Sequence, residues 1–199
     1  DPTRKYPLIL EIHGGPFAAY GPSFATDVQL YAAAGYVVVY ANPRGSTSYG
    51  EGFANEIDRN YPSHDYDDLM SVVDAAVARG FVDDRRLYVT GGSGGGALTA
   101  WIVGKTDRFR AAATQKPVIN WTSFVLTSDA TNFFAPYWFG EMPWEEGAQA
   151  RYWSRSPLSR SRVDRDWRAR VRRMRGAVPD DWWHCRIRPP TPPRAAPPV

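Results

Sequence analysis

The stretch RLYVTGGSGGGALTAWIVGK, residues 86–105, decides the fold class that this chain adopts. Its opening residues are mostly apolar, β-branched or aromatic and predict a strand, whereas residues 94–105 predict a helix. A serine on so tight a strand-to-helix turn has a strained backbone, and Gly91 and Gly95 remove the steric conflict around it. We therefore predict that the hydroxyl of Ser93 lies above the carboxyl end of a strand, at a helix N-terminus where negative charge is stabilised.

The alternation of strand and helix continues before this stretch. Apolar runs at residues 6–12 and 36–40 predict buried strands, because turn residues end both of them. Helices are predicted at residues 23–34 and 65–80, and the second has acidic residues in its first turn. Apolar strands that alternate with helices are typical of a parallel sheet covered by helices. The pattern predicts an α/β fold over residues 1–159.

From the residues alone, three interpretations of the glycine-rich turn at residues 91–96 stay open. A nucleophilic serine is favoured, because the turn follows a strand and precedes a helix. A dinucleotide-binding turn has similar glycine spacing but expects an acidic residue about 20 positions further on, and residues 114–117 contain none. A simple tight turn is the third interpretation. The Walker phosphate-binding pattern is excluded, since no Lys-Ser or Lys-Thr pair follows the glycines.

A second glycine turn, His13-Gly14-Gly15-Pro16, follows the first predicted strand. Acyl transfer develops negative charge on a carbonyl oxygen, which two preset N–H donors stabilise. We predict that Gly94 provides one donor of such an oxyanion hole and that Gly15 or Gly14 provides the other. His13 is predicted to orient or pack the turn. The alternative is a turn that merely ends a strand.

Blocks of sequence spread along the chain carry a resemblance to a known family. They are IHGGPFAAYG (12–21), ANPRGSTSYGEGF (41–53), DYDDLM (65–70), VTGGSGGG (89–96) and RFRAAATQKPVINW (108–121). In this order they resemble the catalytic domain of the prolyl oligopeptidase (S9) family, with the acylaminoacyl-peptidase and dipeptidyl-aminopeptidase-like branch as the closest. The resemblance runs from residue 1 to about Ser159. It implies an α/β-hydrolase fold that is truncated at its C-terminal end.

The resemblance also implies a chemistry. A serine-type peptidase of this family hydrolyses peptide bonds through an acyl-enzyme, here on Ser93, with an oxyanion hole at Gly94 and the turn of Gly14 and Gly15. The substrate is a peptide, and no metal or organic cofactor is implied. The resemblance also implies an N-terminal β-propeller, which we do not expect within residues 1–199. A carboxylesterase or lipase is the alternative enzyme, because the same glycine turns serve ester hydrolysis.

A general base for Ser93 is not found in the sequence pattern. A catalytic Asp and His are expected after the serine, and the family's Gly-Glu-x-Asp-x-Arg-x-Pro and Ser-His-Gly contexts are absent. His184 is the single downstream histidine, but Asp180 and Asp181 lie too close to it in sequence, since triad Asp and His normally occupy separate loops. His64 is predicted to cap a helix or lie at the surface. We expect the chain to be inactive as written, and a catalytically dead fragment is the non-enzyme alternative.

Residues 160–199 differ in composition from the rest of the chain. Arg, Pro, Ala and Trp dominate them, which predicts a disordered tail, a polyproline linker or an out-of-frame product of GC-rich DNA. The net charge of +3 comes from this segment, since residues 1–159 are mildly acidic. No nucleic-acid partner is therefore predicted. Cys185 is the one cysteine, which excludes an internal disulfide and a cysteine-based zinc site.

Two further features suggest local roles. Arg44 follows the predicted strand at residues 36–40 and is predicted to form a structural ion pair that holds its loop. The aromatic residues at 133–139 are predicted either to line a substrate pocket or to form ordinary core. No apolar run reaches the roughly 18 residues of a membrane helix, so no membrane partner is predicted. Compartment and oligomeric state are not predicted.

Overall fold

A computed structural model of the chain describes residues 3–160. In chain order its main elements are β1 (Tyr6–Ile12), α1 (Thr26–Ala33), β2 (Val37–Tyr40), α2 (Glu51–Ala54), α3 (Asp65–Ala78), β3 (Val82–Gly92), α4 (Gly94–Lys105), β4 (Ala111–Gln115), α5 (Trp121–Thr127), α6 (Thr131–Phe134), α7 (Ala148–Arg155) and α8 (Pro157–Arg160). A short 3-10 helix follows α2, and a π-helical turn at Ala135–Phe139 follows α6. Strands thus alternate with helices up to β4, and helices follow it.

The strands form a four-stranded parallel sheet in the order β2-β1-β3-β4. Leu8 of β1 lies opposite Val37 of β2 on one side and Leu87 of β3 on the other. The chain runs from β1 outward to β2 and returns to β3 on the other side of β1. The connection after β1 therefore leads toward one edge of the sheet, and the connection after β3 leads toward the other edge. Connections that diverge in this way create a crevice at the carboxyl ends of the two strands.

One face of the sheet carries the buried core. Alternate residues of a strand point to the same face, and those of β1 and β3 on this face are buried: Leu8, Leu10, Ile12, Leu87 and Val89. The same cluster contains Leu69 and Val73 of α3 and Leu98 and Ile102 of α4. These helices cover this face of the sheet and fix the positions of the two central strands.

The helical segment after β4 has an aromatic core of its own. Trp121 of α5 contacts Trp138 with ring centroids 5.3 Å apart, and Phe139 stacks on Tyr152 of α7 at 3.8 Å. Tyr61, from the loop before α3, joins this cluster through ring contacts with Trp121 and Trp138. The Tyr61 hydroxyl also lies 3.5 Å from the carbonyl oxygen of Gly94. The aromatic cluster is thereby connected to the first turn of α4.

Most predicted elements are present, with shifted ends. The strand at 6–12 and the helix at 94–105 have the predicted bounds, and the helix predicted at 23–34 is shorter at both ends. β4 and the helices after it were not predicted. The predicted tail, residues 160–199, lies outside the described residues except for Arg160, which ends α8.

Candidate active site

Ser93 lies at the tip of the turn between β3 and α4. Its backbone angles, φ 59° and ψ −117°, are unfavourable for a residue with a side chain, and such conformations cost about 1–3 kcal/mol. Hydrogen bonds hold the tip, because the Ser93 N–H donates to the Gln115 carbonyl at 3.0 Å and the Ser93 carbonyl accepts from the Ala97 N–H at 2.9 Å. The side chain is exposed at the carboxyl edge of the sheet.

The flanking glycines are required by close backbone approaches. A Cβ added at Gly95 would lie 2.1 Å from the carbonyl oxygen of Ile12, and one added at Gly91 would lie 2.7 Å from the same oxygen. Both distances are far below van der Waals contact. The backbone of β1 therefore packs directly against the backbone of the turn after β3, with no side chain between them. This packing brings the end of β1 directly beside the serine.

The two glycine turns meet at one point. A Cβ added at Gly94 would lie 2.4 Å from the Gly15 carbonyl oxygen, and one added at Gly14 would lie 3.9 Å from the Ser93 Oγ. Gly15 has a φ of 115°, in the region that favours glycine. The structure therefore brings together the four residues predicted for the nucleophile and the oxyanion hole.

Free amide donors are present where the two turns meet. Gly94 is the first residue of α4, so its N–H has no intrahelical acceptor. Within residues 3–160 the N–H of Gly15 donates to no protein acceptor. Donors of this kind, close to a serine hydroxyl, are what a developing oxyanion requires.

Neither described histidine serves Ser93 directly. The Nδ1 of His13 lies 2.6 Å from the Gly14 carbonyl oxygen, and its Nε2 lies 3.0 Å from the Ser46 Oγ. Exposed His64 pairs with Asp67 at 2.7 Å and makes no side-chain capping bond. Within residues 3–160 no hydrogen bond joins a histidine to the Ser93 hydroxyl. The candidates at 180, 181 and 184 lie outside the described residues.

The residues of the aromatic stretch at 133–139 differ in burial and in contacts. Trp138 and Phe139 are buried core. Phe133 and Tyr137 instead stack on each other and contact the ring of Phe17, at 6.3 and 5.5 Å between centroids. Phe17 follows the glycine turn of β1 by two residues, so these three rings form an aromatic wall beside the oxyanion donors. Phe133 is 47% exposed, which leaves this wall accessible.

Two carboxyl groups, those of half-buried Glu11 and buried Asp65, have raised pKa values. Burial, with a smaller contribution from Asp27, raises the pKa of Glu11 to about 7, and its Oε2 is buried without a hydrogen-bond partner in residues 3–160. Burial also raises the pKa of Asp65 to about 6, although its Oδ1 accepts from the N–H groups of Ser63 and Tyr66. Glu11 is the penultimate residue of β1, directly before the first glycine turn, and Asp65 is the first residue of α3.

The loop after β2 holds the segment after β1 through Asn42, a residue for which the sequence predicted no role. The Asn42 side chain accepts from the Tyr20 N–H at 2.7 Å and donates to the Tyr20 carbonyl at 2.9 Å. Arg44, predicted to form an ion pair, donates two side-chain hydrogen bonds to Asp68 of α3 and lies 3.4 Å from Glu56. No local pattern identifies Asn42, because its partner lies far away in sequence.

Comparison with known proteins identifies the family of this chain. The model of the prolyl oligopeptidase family matches residues 22–171, past the boundary predicted at residue 159. The uncharacterized peptidase YuxL of Bacillus subtilis (strain 168) is 49% identical over 154 residues, which cover 77% of this chain and 23% of that protein. The acylamino-acid-releasing enzyme of Arabidopsis thaliana is 36% identical over 160 residues, 77% of this chain and 21% of the enzyme. The chain thus spans under a quarter of the length of these relatives.

Solved structures give the same result. The acylaminoacyl peptidase of Pyrococcus horikoshii, in an orthorhombic crystal form, has a TM-score of 0.75 and 31% identity, over 80% of this chain and 26% of that one. A puromycin-hydrolyzing peptidase of Mycobacterium tuberculosis has a TM-score of 0.73 and 28% identity, over 79% of this chain and 24% of that one. The predicted α/β-hydrolase fold and family resemblance are confirmed. This chain belongs to the prolyl oligopeptidase family of serine peptidases.

Proposed function

We propose that Ser93 is the nucleophile of a serine-type peptidase domain and that the Gly15 and Gly94 amides form its oxyanion hole. The main support for the proposal is that the two glycine turns lie next to each other, beside the exposed Ser93. Both turns lie at the carboxyl ends of β1 and β3, where the direction of strand connections reverses. Ligands of open parallel sheets bind in crevices of this kind.

The chemistry is acyl transfer. The Ser93 Oγ adds to the carbonyl carbon of the substrate, its proton passes to a general base, and the carbonyl oxygen becomes an oxyanion between the two glycine amides. Departure of the leaving group gives an acyl-enzyme on Ser93, which water hydrolyses. The strained turn holds the hydroxyl in place before the substrate arrives, so no reorganisation of the backbone is needed.

A peptide substrate is favoured over an ester. The relatives named above are peptidases or an acylamino-acid-releasing enzyme, and the aromatic wall of Phe17, Phe133 and Tyr137 suits an apolar side chain next to the scissile bond. The same two turns also serve ester hydrolysis. A carboxylesterase is therefore the second candidate, and it predicts turnover of p-nitrophenyl esters without turnover of peptide amides.

We further propose that this chain, as written, does not turn over peptides. His13 and His64 are engaged with other partners, and a serine without a base is too weakly nucleophilic at neutral pH. Residual catalysis from the oxyanion hole alone amounts to about 10³–10⁴-fold over water in well-studied enzymes.

An acyl-aminoacyl p-nitroanilide assay tests this proposal, with Ser93→Ala as the control. We expect the two proteins to give the same rate. Turnover that depends on Ser93 at ordinary enzymatic rates would contradict the proposed inactivity. His184→Ala would then show whether His184 is the base.

A further inference from the structure

The aromatic wall of Phe17, Phe133 and Tyr137 has a polar end. Phe17 begins the wall, two residues after the glycine turn, and its ring meets the ring of Tyr137 edge-on at 5.5 Å between centroids. Phe133 stacks on Tyr137 at the same distance. The hydroxyl group of half-buried Tyr137 donates a hydrogen bond to the Oδ1 of Asn55. A side chain that lies along these rings therefore reaches polar groups beside Asn55.

Two carboxyl groups lie around this polar end. Glu51 is the first residue of α2, and its Oε1 accepts a hydrogen bond from the Asn55 side-chain amide at 3.5 Å. Asp58 directly follows the 3-10 helix that contains Asn55. Burial raises the pKa of the Tyr137 hydroxyl, and the charges of Asp58 and Glu51 raise it further. Both exposed carboxylates are thus close enough to the end of the wall to act on a charge placed there.

The charges of these two carboxylates are not neutralised by a neighbouring cation. Within the part of the chain that the structure describes, no ion pair reaches Glu51 or Asp58. Arg44 is engaged by two other carboxylates. Arg59 adjoins Asp58 in sequence, but its side chain lies against Gly140, where an added Cβ would lie 3.1 Å from the Arg59 Nε. Glu51 and Asp58 therefore form an acidic rim at the end of the aromatic wall.

The wall and the acidic rim together suit a side chain that is apolar along its length and cationic at its end. The methylene groups of lysine or arginine pack on apolar surfaces such as aromatic rings, while the charged head stays in water. A cation over a tyrosine ring is also attracted by the ring itself. An acidic side chain in the same place would be repelled by both rim charges. The rim thereby distinguishes between side chains that contact the rings equally well.

We propose that Glu51 and Asp58 select peptides with a lysine or arginine side chain next to the scissile bond. This inference rests on the nucleophile role proposed above for Ser93, because that role places the scissile bond beside the wall. The two carboxylates act on the side chain of the substrate and not on the reacting atoms, so they are specificity residues. Their effect is an attraction between exposed charges, and it weakens as the salt concentration rises.

Two boronic acids that share an apolar stem and differ in charge test this proposal: the boronic-acid analogues of N-acetyl-lysine and N-acetyl-norleucine. The Ser93 Oγ adds to the trigonal boron of each, its proton leaves to buffer, and a tetrahedral boronate anion results. We expect Glu51→Gln and Asp58→Asn each to raise the Kd of the lysine analogue about threefold, as for exposed charge pairs. The Kd of the norleucine analogue should stay within about 1.5-fold, which also shows that the variants are folded.

Asp84→Asn is the matched control, since Asp84 is an exposed acid at the start of β3, the end of the strand opposite Ser93. It should leave both Kd values unchanged. In the double variant Glu51→Gln with Asp58→Asn, we expect the loss for the lysine analogue to reach about tenfold at low salt and to shrink at high salt. Equal losses for the two analogues, or a loss in Asp84→Asn as large as in the rim variants, would overturn the proposal.

A second measurement separates this inference from the proposed function. In Ser93→Ala, N-acetyl-lysine methylamide and its norleucine counterpart bind without an adduct, and the ring signals of Phe133 and Tyr137 in NMR spectra report the binding. We expect the lysine compound to shift these signals at a lower concentration, and the rim variants to remove this difference. Equal titrations of the two compounds would overturn the selection. A lysine preference here, together with boronates that form no adduct on Ser93 in the unmodified chain, would contradict the nucleophile proposal and support the rim.

Discussion

At the residue scale, the glycines of the two turns are explained by backbone atoms that leave no room for a side chain. Gly91, Gly94 and Gly95 were predicted from sequence, because their constraint comes from a local motif around Ser93. Ser46 was not predicted. Its hydrogen-bond partner His13 lies 33 positions away in sequence. No local sequence pattern around a loop serine predicts a partner at that distance.

Replacement of Gly95 tests the close approach of β1. We expect Gly95→Ala to lower the free energy of unfolding by about 2–4 kcal/mol, because the new methyl group would lie 2.1 Å from the Ile12 carbonyl oxygen. Gly52→Ala is the matched control, since a Cβ at Gly52 of α2 has nothing within 4 Å. The control should be neutral or stabilising by up to about 1 kcal/mol. Urea denaturation measures both, and equal effects would contradict the packing described here.

The strained backbone of Ser93 predicts a difference between two variants that both lack the hydroxyl. With φ 59° and ψ −117°, the serine occupies the mirror image of an extended conformation, which glycine adopts readily and alanine does not. We expect Ser93→Gly to be more stable than Ser93→Ala by about 1 kcal/mol, in spite of the larger entropy of an unfolded glycine. Thermal unfolding compares them, and an alanine variant of higher Tm would exclude strain at this position.

At the element scale, the strand-turn-helix unit of β3 and α4 was predictable and β4 was not. Residues 87–90 of β3 have strong β propensity, and the glycines mark the end of the strand, whereas residues 82–86 at its start are mostly charged and gave no strand signal. β4 reads Ala-Ala-Ala-Thr-Gln and is mostly exposed, so it has neither high β propensity nor an apolar run. It forms a strand because its backbone pairs with β3. The short helices after β4 depend on aromatic contacts between residues that are distant in sequence. The periodicity of apolar residues along the chain does not predict such contacts.

The ion pair of Arg44 connects the loop after β2 to α3. Burial raises the pKa of Asp68, but hydrogen bonds from the Arg44 side chain and backbone together outweigh it, and the pKa lies below its usual value. We expect Arg44→Ala to cost about 1–2 kcal/mol of stability at neutral pH. A carboxyl group of lowered pKa contributes its stability above the unfolded pKa and loses it as the pH falls through the folded value. The loss of stability caused by Arg44→Ala should therefore be smaller at acid pH than at neutral pH.

Arg108→Ala is the control for this pair. Arg108 contacts Asp74, whose side chain is 67% exposed, so its removal should cost less than about 0.5 kcal/mol. Guanidinium denaturation at neutral and acid pH compares the two variants. A cost for Arg44→Ala that does not change with pH would show that the loop is held by packing rather than by the charge of Asp68.

At the scale of the whole molecule, the family and the α/β-hydrolase fold could be predicted, whereas the strand order could not. Parallel strands were expected from the alternation of elements, but the position of β3 beside β1 follows from pairing that no single segment encodes. The same long-range packing half-buries Glu11, fully buries Asp65 and raises the pKa of both carboxyl groups. In the described residues no helix is long and apolar enough to cross a membrane.

The raised pKa of Glu11 predicts how the free energy of unfolding depends on pH. Its pKa is raised from 4.5 to about 7, so its contribution is fully present below the unfolded value and is lost as the pH rises through the folded one. Since Gln stays neutral, Glu11→Gln should be more stable than the unmodified chain by about 1–2 kcal/mol at about pH 8, after allowance for partial exposure. Near about pH 4 the two proteins should be similar. Urea denaturation at both pH values measures the free energy of unfolding of the two proteins. If Glu11→Gln is more stable by the same amount at both pH values, the raised pKa of Glu11 is contradicted.

The most direct test of the central claim is a crystal structure of the chain with phenylethylboronic acid. The nucleophile proposal predicts a tetrahedral boron bonded to the Ser93 Oγ, with one boron hydroxyl within hydrogen-bond distance of both the Gly15 and the Gly94 N–H groups. The phenyl ring should lie against Phe17, Phe133 or Tyr137. A boronate that bonds to another residue, or whose hydroxyl groups avoid both glycine amides, would contradict the claim that these turns form an acyl-transfer site.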